Sequence, residues 1–95
     1  MTLNDFKATL NEDAPPAGIR PSLQAMWFAG KGEWDKSHEL CQETNQELDW
    51  VHAWLHRQEG DLSNAGYWYR RADQSMSENS LEEEWDEIAQ TLLKP

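Results

Sequence analysis

Residues 60–72 read Gly60-Asp61-Leu62-Ser63-Asn64-Ala65-Gly66-Tyr67-Trp68-Tyr69-Arg70-Arg71-Ala72, and the architecture follows from them. A Gly-Asp turn opens the stretch. Ala65, Tyr69 and Ala72 then recur at helical spacing, so small and aromatic side chains share one face. Alanines on such a face let two helix backbones approach closely, and a tyrosine fills the space beside them. The stretch therefore predicts the second helix of a helical hairpin.

On the N-terminal side, a helix is predicted from Glu47 to Gln58, after a weak break at Asn45-Gln46. Before it, a helix over Glu33–Thr44 follows Gly30-Lys31-Gly32, which terminates a helix over Pro21–Ala29. Pro21 suits a first turn, where its missing amide hydrogen is not needed. Two prolines forbid a helix through Asn11–Gly18, which reads as a connection. Leu3, Phe6 and Leu10 share a face of a short helix over Thr2–Leu10, opened by a Thr2/Asp5 capping box. On the C-terminal side, Ser75–Asn79 is polar and loop-like. Ser80 and Glu83 form a capping box for a last helix ending near Leu93, with an apolar stripe of Leu81, Trp85, Ile88 and Leu92. No stretch alternates with period two, so the chain is all-α. It divides into an N-terminal helix and Pro-rich connection (1–18), hairpin 1 (21–45), hairpin 2 (46–74) and a capping helix (80–93), in one domain over 1–95.

The two hairpins resemble each other. Gly32-Glu33-Trp34 laid over Gly60-Asp61-Leu62 pairs Ala25 with Ala53, Phe28 with His56, Ser37 with Ala65, and Cys41 with Tyr69. Small residues fall at matching places, and large ones a turn away. In this the chain resembles tetratricopeptide and Sel1-like repeats, in which stacked hairpins bury a shared core. The resemblance covers about residues 21–74 and is better in the second copy. The interval from Gly32 to Gly60 is shorter than the family's unit of about 34 residues, and the family's proline after the second helix is absent. The resemblance implies a short right-handed superhelix of antiparallel hairpins. Two hairpins are few for such a stack, so the terminal helices would cap it, or a homodimer would complete it. A four- or five-helix bundle with accidental self-similarity is the alternative.

The length of 95 residues bounds the chain to one domain with a small core, which six Trp, two Tyr and two Phe help to fill. A formal charge of −10 repels phosphate backbones, which argues against nucleic-acid partners. One cysteine, Cys41, excludes an intrachain disulfide. With no signal-like segment and no apolar run of membrane length, a cytoplasmic setting and no membrane partner are expected.

Two candidate sites emerge. In the repeat family the first helix of each hairpin lines a concave groove for a protein or peptide. The resemblance places Met26, Trp50, Trp54 and Arg57 there, with Ser22 and Ala29 beside them. Tryptophan next to arginine is hot-spot chemistry, a rigid contact area plus a planar charge. A terminal helix packed over Trp50 and Trp54 would make them core instead. Arg70-Arg71 reads as a solvated face or as a partner for Glu82-Glu83-Glu84, whose charges suit a helix N-terminus.

The second site is the set His38, Cys41, His52 and His56. His38 and Cys41 lie one turn apart on one predicted helix, and His52 and His56 one turn apart on the next, so four ligands for zinc could converge between antiparallel neighbours. The spacing is not that of a zinc finger. The structural alternative is histidines bonded across the hairpin to Tyr67, Tyr69 or Asp61, with Cys41 acting as a small hydrophobe. Asp35, His38 and Cys41 on one helix make a poor catalytic triad, because a helix interior supplies no free amides for an oxyanion. No phosphate loop or nucleophile elbow occurs. The expected function is that of a non-catalytic protein-interaction module, not an enzyme and without a cofactor; the alternative is a zinc-binding helical protein.

Overall fold

A computed structural model describes residues 1–95, and all of its regular structure is helical, without a strand. Helix α1 (Leu3–Ala8) runs into a 3-10 turn (Thr9–Asn11); α2 (Pro21–Gly30) and α3 (Trp34–Leu40) form the first hairpin, and α4 (Gln46–Gln58) and α5 (Leu62–Arg71) the second. Helix α6 (Leu81–Leu93) closes the fold. Both predicted capping boxes are present: Thr2 with Asp5, and Ser80 with Glu83.

Both hairpin turns need glycine. Gly32 and Gly60 take φ of 79° and 88°, the left-handed region that a side chain disfavours. Directly after each turn the chain re-enters a helix, so consecutive helices run antiparallel. The residues paired by the overlay lie where these helices cross: Ala25, Ser37, Cys41, Ala53 and Ala65 are all fully buried and Tyr69 nearly so. Ser37 is accommodated because its hydroxyl donates to the Ala25 carbonyl at 2.7 Å. A buried hydroxyl without such a partner would be costly.

Two helices are shorter than the sequence predicts. Helix α3 ends at Leu40, not Thr44, because Asn45 takes an extended φ of −152° to cap α4, its side chain accepting from the Leu48 amide. The turn at 41–44 makes that change of direction. Helix α5 ends at Arg71, not Gln74, with Asp73 in the left-handed region at φ 58°.

Helix α6 fixes the general shape. It lies across α2 and α4 and brings Trp85, Ile88, Ala89 and Leu92 into one core with Phe6, Met26, Trp27, Val51, Trp54 and Leu55. Three polar contacts set its position. Trp85 Nε1 donates to the Met26 carbonyl at 3.1 Å, Trp54 Nε1 donates to the Leu81 carbonyl at 2.9 Å, and Arg57 pairs with Glu84 at 2.8 Å. Arg20 reaches from the start of α2 to Glu47 and to the last carbonyls of α6 at Leu92. The Cα radius of gyration is 12.2 Å, matching the ~12 Å of a close-packed domain of this length. No helix is long and apolar enough to cross a membrane.

Candidate metal centre

The predicted groove is filled. Met26 is fully buried, Trp54 is 5% exposed, and Ser22 and Ala29 are buried with them. Trp50 is half-buried on the rim of the core, and Arg57 is spent on Glu84. The reason is α6: its apolar stripe needs a face to bury against, and the face formed by α2 and α4 is the one it covers. Met26 and Trp54 are thus core residues, and an open groove at Met26, Trp50, Trp54 and Arg57 is corrected to a covered one. The acidic run at the start of α6 also differs from expectation. Glu84 is buried at 2% exposure between Arg57 and Tyr69, whereas Arg71 reaches Asp49 at 3.5 Å and Arg70 stays exposed.

The histidines do converge. His38 on α3 and His52 and His56 on α4 bring one ring nitrogen each to within 4.8 Å of one another. The Nε2 atoms of His38 and His52 are 3.0 Å apart. His52 and His56 are buried, and His38 is half-buried. The spacing of the two on α4 puts them on one face, one turn apart, and α3 crosses that face with His38 in its last turn.

Cys41 is not part of the cluster. Because α3 and α4 run antiparallel, moving forward along α3 means moving back along α4. Trp34 meets His56, with ring centroids 5.8 Å apart, and His38 meets His52 at 4.6 Å. Cys41 falls a turn further on, in the main core and within the field of Asp49. Burial and that carboxylate push its thiol up to about 12, so it is held neutral. The four-ligand set of the sequence is corrected to three histidines.

Aromatic walls hold the rings. Trp34 stacks on His38 at 4.6 Å and 12°, and Trp68 stacks on His52 at 3.9 Å and 17°. Trp34 is itself pinned by an indole hydrogen bond to the Leu55 carbonyl at 2.9 Å. His56 Nδ1 lies 2.7 Å from Glu59 Oε2, and its Nε2 lies 3.4 Å from the Asn64 amide nitrogen. A carboxylate only accepts, so Nδ1 carries the proton and Nε2 faces the Asn64 side-chain amide. The expected partners Tyr67, Tyr69 and Asp61 make none of these bonds. Glu59, Asn64, Trp34 and Trp68 were missed; Glu59 has the one local signal, lying one turn after His56.

The electrostatics favour the neutral ring at His52 and His38. Burial, then the neighbouring His38 and His56, lowers the His52 pKa to about 4. Burial, then His56, also lowers that of His38. His52 Nδ1 is buried without a hydrogen-bond partner. Two Nε2 atoms facing each other can share at most one proton between them. One shared proton makes this pair a hydrogen bond, and a soft or borderline cation taking that proton's place would use the same lone pairs.

No family model matches the chain, and no curated protein or solved structure is significantly similar to it.

Proposed function

We propose that this is a transition-metal-binding helical protein that holds one divalent ion between α3 and α4 through His38, His52 and His56. The observation that carries the assignment is the approach of three imidazole nitrogens to within 4.8 Å, two of the rings being buried. Two buried imidazoles and a third at their edge turn ring nitrogens toward one another, and lone pairs so placed cost free energy unless a donor or an ion meets them. Metal–nitrogen bonds of about 2.0–2.1 Å put tetrahedral ligands roughly 3.3–3.4 Å apart. The widest nitrogen separation, up to 4.8 Å, therefore has to close by up to ~1.4 Å, while His38 and His52 at 3.0 Å open slightly. Imidazole donors suit zinc, copper and nickel, and zinc best matches a tetrahedral set without thiolate. The Glu59 carboxylate on His56 supplies the outer partner that orients a ligating histidine and adds to its basicity. A formal charge of −10 draws cations to the chain.

The test is calorimetric titration of the chelator-treated protein with zinc, wild type against His38→Ala. His38 is half-buried at the edge of the cluster, so its removal leaves the core in place. One zinc per chain in the wild type and a large loss of affinity in the variant are expected. Equal binding by both, or none by the wild type, would sink the assignment.

A second reading keeps the interaction module but moves its surface. Tyr67 on α5 is 45% exposed, and the Arg71 guanidinium lies 5.9 Å from its ring centre. An aromatic residue beside arginine on an outer face is the hot-spot pairing expected of the covered groove. Tyr67→Ala should then weaken capture of a partner without lowering the melting temperature; unchanged capture would count against that face.

A further inference from the structure

A divalent ion with three protein ligands has a fourth position to fill. Given metal binding at the three imidazoles, on which this step rests, we propose that the side-chain amide of Asn64 supplies the fourth ligand, through its oxygen. Asn64 stands in the first turn of α5, two residues after Leu62 opens the helix, and its side chain faces back across the hairpin to α4. Its amide nitrogen lies 3.4 Å from Nε2 of His56. That nitrogen is the one the Glu59 bond leaves with a free lone pair, and hence the one that would ligate. The separation equals the edge of a tetrahedron built on metal–ligand bonds of about 2.0–2.1 Å.

The amide serves both states. Without an ion, its N–H donates to the His56 lone pair. When an ion takes that lone pair, the N–H loses its acceptor and faces a positive charge. Rotation of the terminal amide by half a turn exchanges nitrogen for oxygen in nearly the same volume, and the carbonyl oxygen then faces the ion with its lone pairs. Backbone placement is independent of this rotation. The Asn64 main-chain amide is held by the Asp61 side chain, which caps α5 at 3.2 Å. The site would thereby tie three helices: α3 by His38, α4 by His52 and His56, and α5 by Asn64. A site whose four positions all come from the chain is closed, which fits a structural or storage role for the ion rather than activation of a bound water.

Cobalt(II) is the probe, because its visible d–d spectrum reports the number and type of ligands in a zinc-like site. Wild type, Asn64→Ala, Asn64→Asp and His38→Ala would be titrated with cobalt and then back-titrated with zinc. Alanine is the better helix former at a half-buried position, so Asn64→Ala is expected to fold. It should bind about tenfold or more weakly, the scale of losing one site partner, and its spectrum should change. Asn64→Asp, which keeps an oxygen there and adds a charge, should restore or exceed wild-type affinity. Tight binding by Asn64→Ala with the wild-type spectrum would show that water, not Asn64, fills the position, and would overturn the assignment while metal binding stood. A wild-type chain that takes up neither cobalt nor zinc would overturn both.

Discussion

The hydroxyl of Tyr69 donates to Glu84 Oε2 at 2.5 Å, joining α5 to α6 in the interior of the protein. The other oxygen of that carboxylate accepts from Arg57 of α4 at 2.8 Å, so one buried acid links three helices. Burial, followed by the bond to Glu84, raises the Tyr69 pKa, so the phenol stays protonated and donating. Removing Glu84 strands Arg57 and the phenol together. Glu84→Ala should cost about 3–5 kcal/mol, the loss expected when one partner of a buried ion pair is deleted. Tyr69→Phe leaves the ion pair intact and should cost about 1–2 kcal/mol. Urea denaturation midpoints read both, and equal costs would mean that Arg57 finds no use for Glu84.

Trp54 tests the covered groove. With 5% of its surface exposed and its indole bonded to the Leu81 carbonyl, it is a core residue. Trp54→Ala should lose about 3–5 kcal/mol and much of the cooperative fold. Circular dichroism during thermal unfolding would show this. Retained helical signal with an unchanged midpoint would mean that α6 can lift from the face.

Stability without metal should fall in mild acid. The folded His52 pKa of about 4 lies below the ordinary 6.5. Between these values the unfolded chain takes up a proton that the folded ring refuses. The contribution is therefore full above pH 6.5, shrinks as the pH drops, and is gone below about 4. It amounts to roughly 3 kcal/mol. His38 shifts in the same direction, although Asp35 and Glu59 oppose the shift. Denaturation midpoints in chelator at several pH values between 7.5 and 4 should show the decline, and a His52→Gln variant should flatten it. A wild-type profile level through this window would contradict the burial of the ring.

Cys41 should be silent. It is fully buried, and its thiol is held neutral by burial and Asp49. Thiol reagents should modify it only as fast as the protein opens. Cys41→Ala should leave zinc affinity within twofold of wild type, since the sulfur lies outside the histidine cluster. A large fall in affinity would put the sulfur back among the ligands.

Local signals are legible in this sequence, and register is not. The Ser80–Glu83 box and the turn glycines at 32 and 60 act within a few residues, so spacing alone reveals them. The small residues Ala25, Ser37, Ala53 and Ala65 disclosed which faces meet, because close backbone approach leaves room for little else. Cys41 and His38, by contrast, are one turn apart in sequence, yet only His38 reaches the cluster. That depends on how far α3 slides along α4, which no short spacing encodes. The repeat resemblance puts Trp54 and Met26 in a groove, and the stripe on α6 does not say that it will cover that face. Asn64 lies on the next helix after a turn, and only the packing of α5 on α4 brings it to His56.

Trp34 and Trp68 bracket the imidazoles, each lying flat on one ring. Their emission is therefore sensitive to whatever those rings hold. A paramagnetic ion such as copper(II), seated a few ångströms from two indoles, drains their excited states, whereas zinc only alters their surroundings. Given an ion on the proposed site, the chain would be its own optical gauge of occupancy, able to tell one ion from another by how far its glow is dimmed.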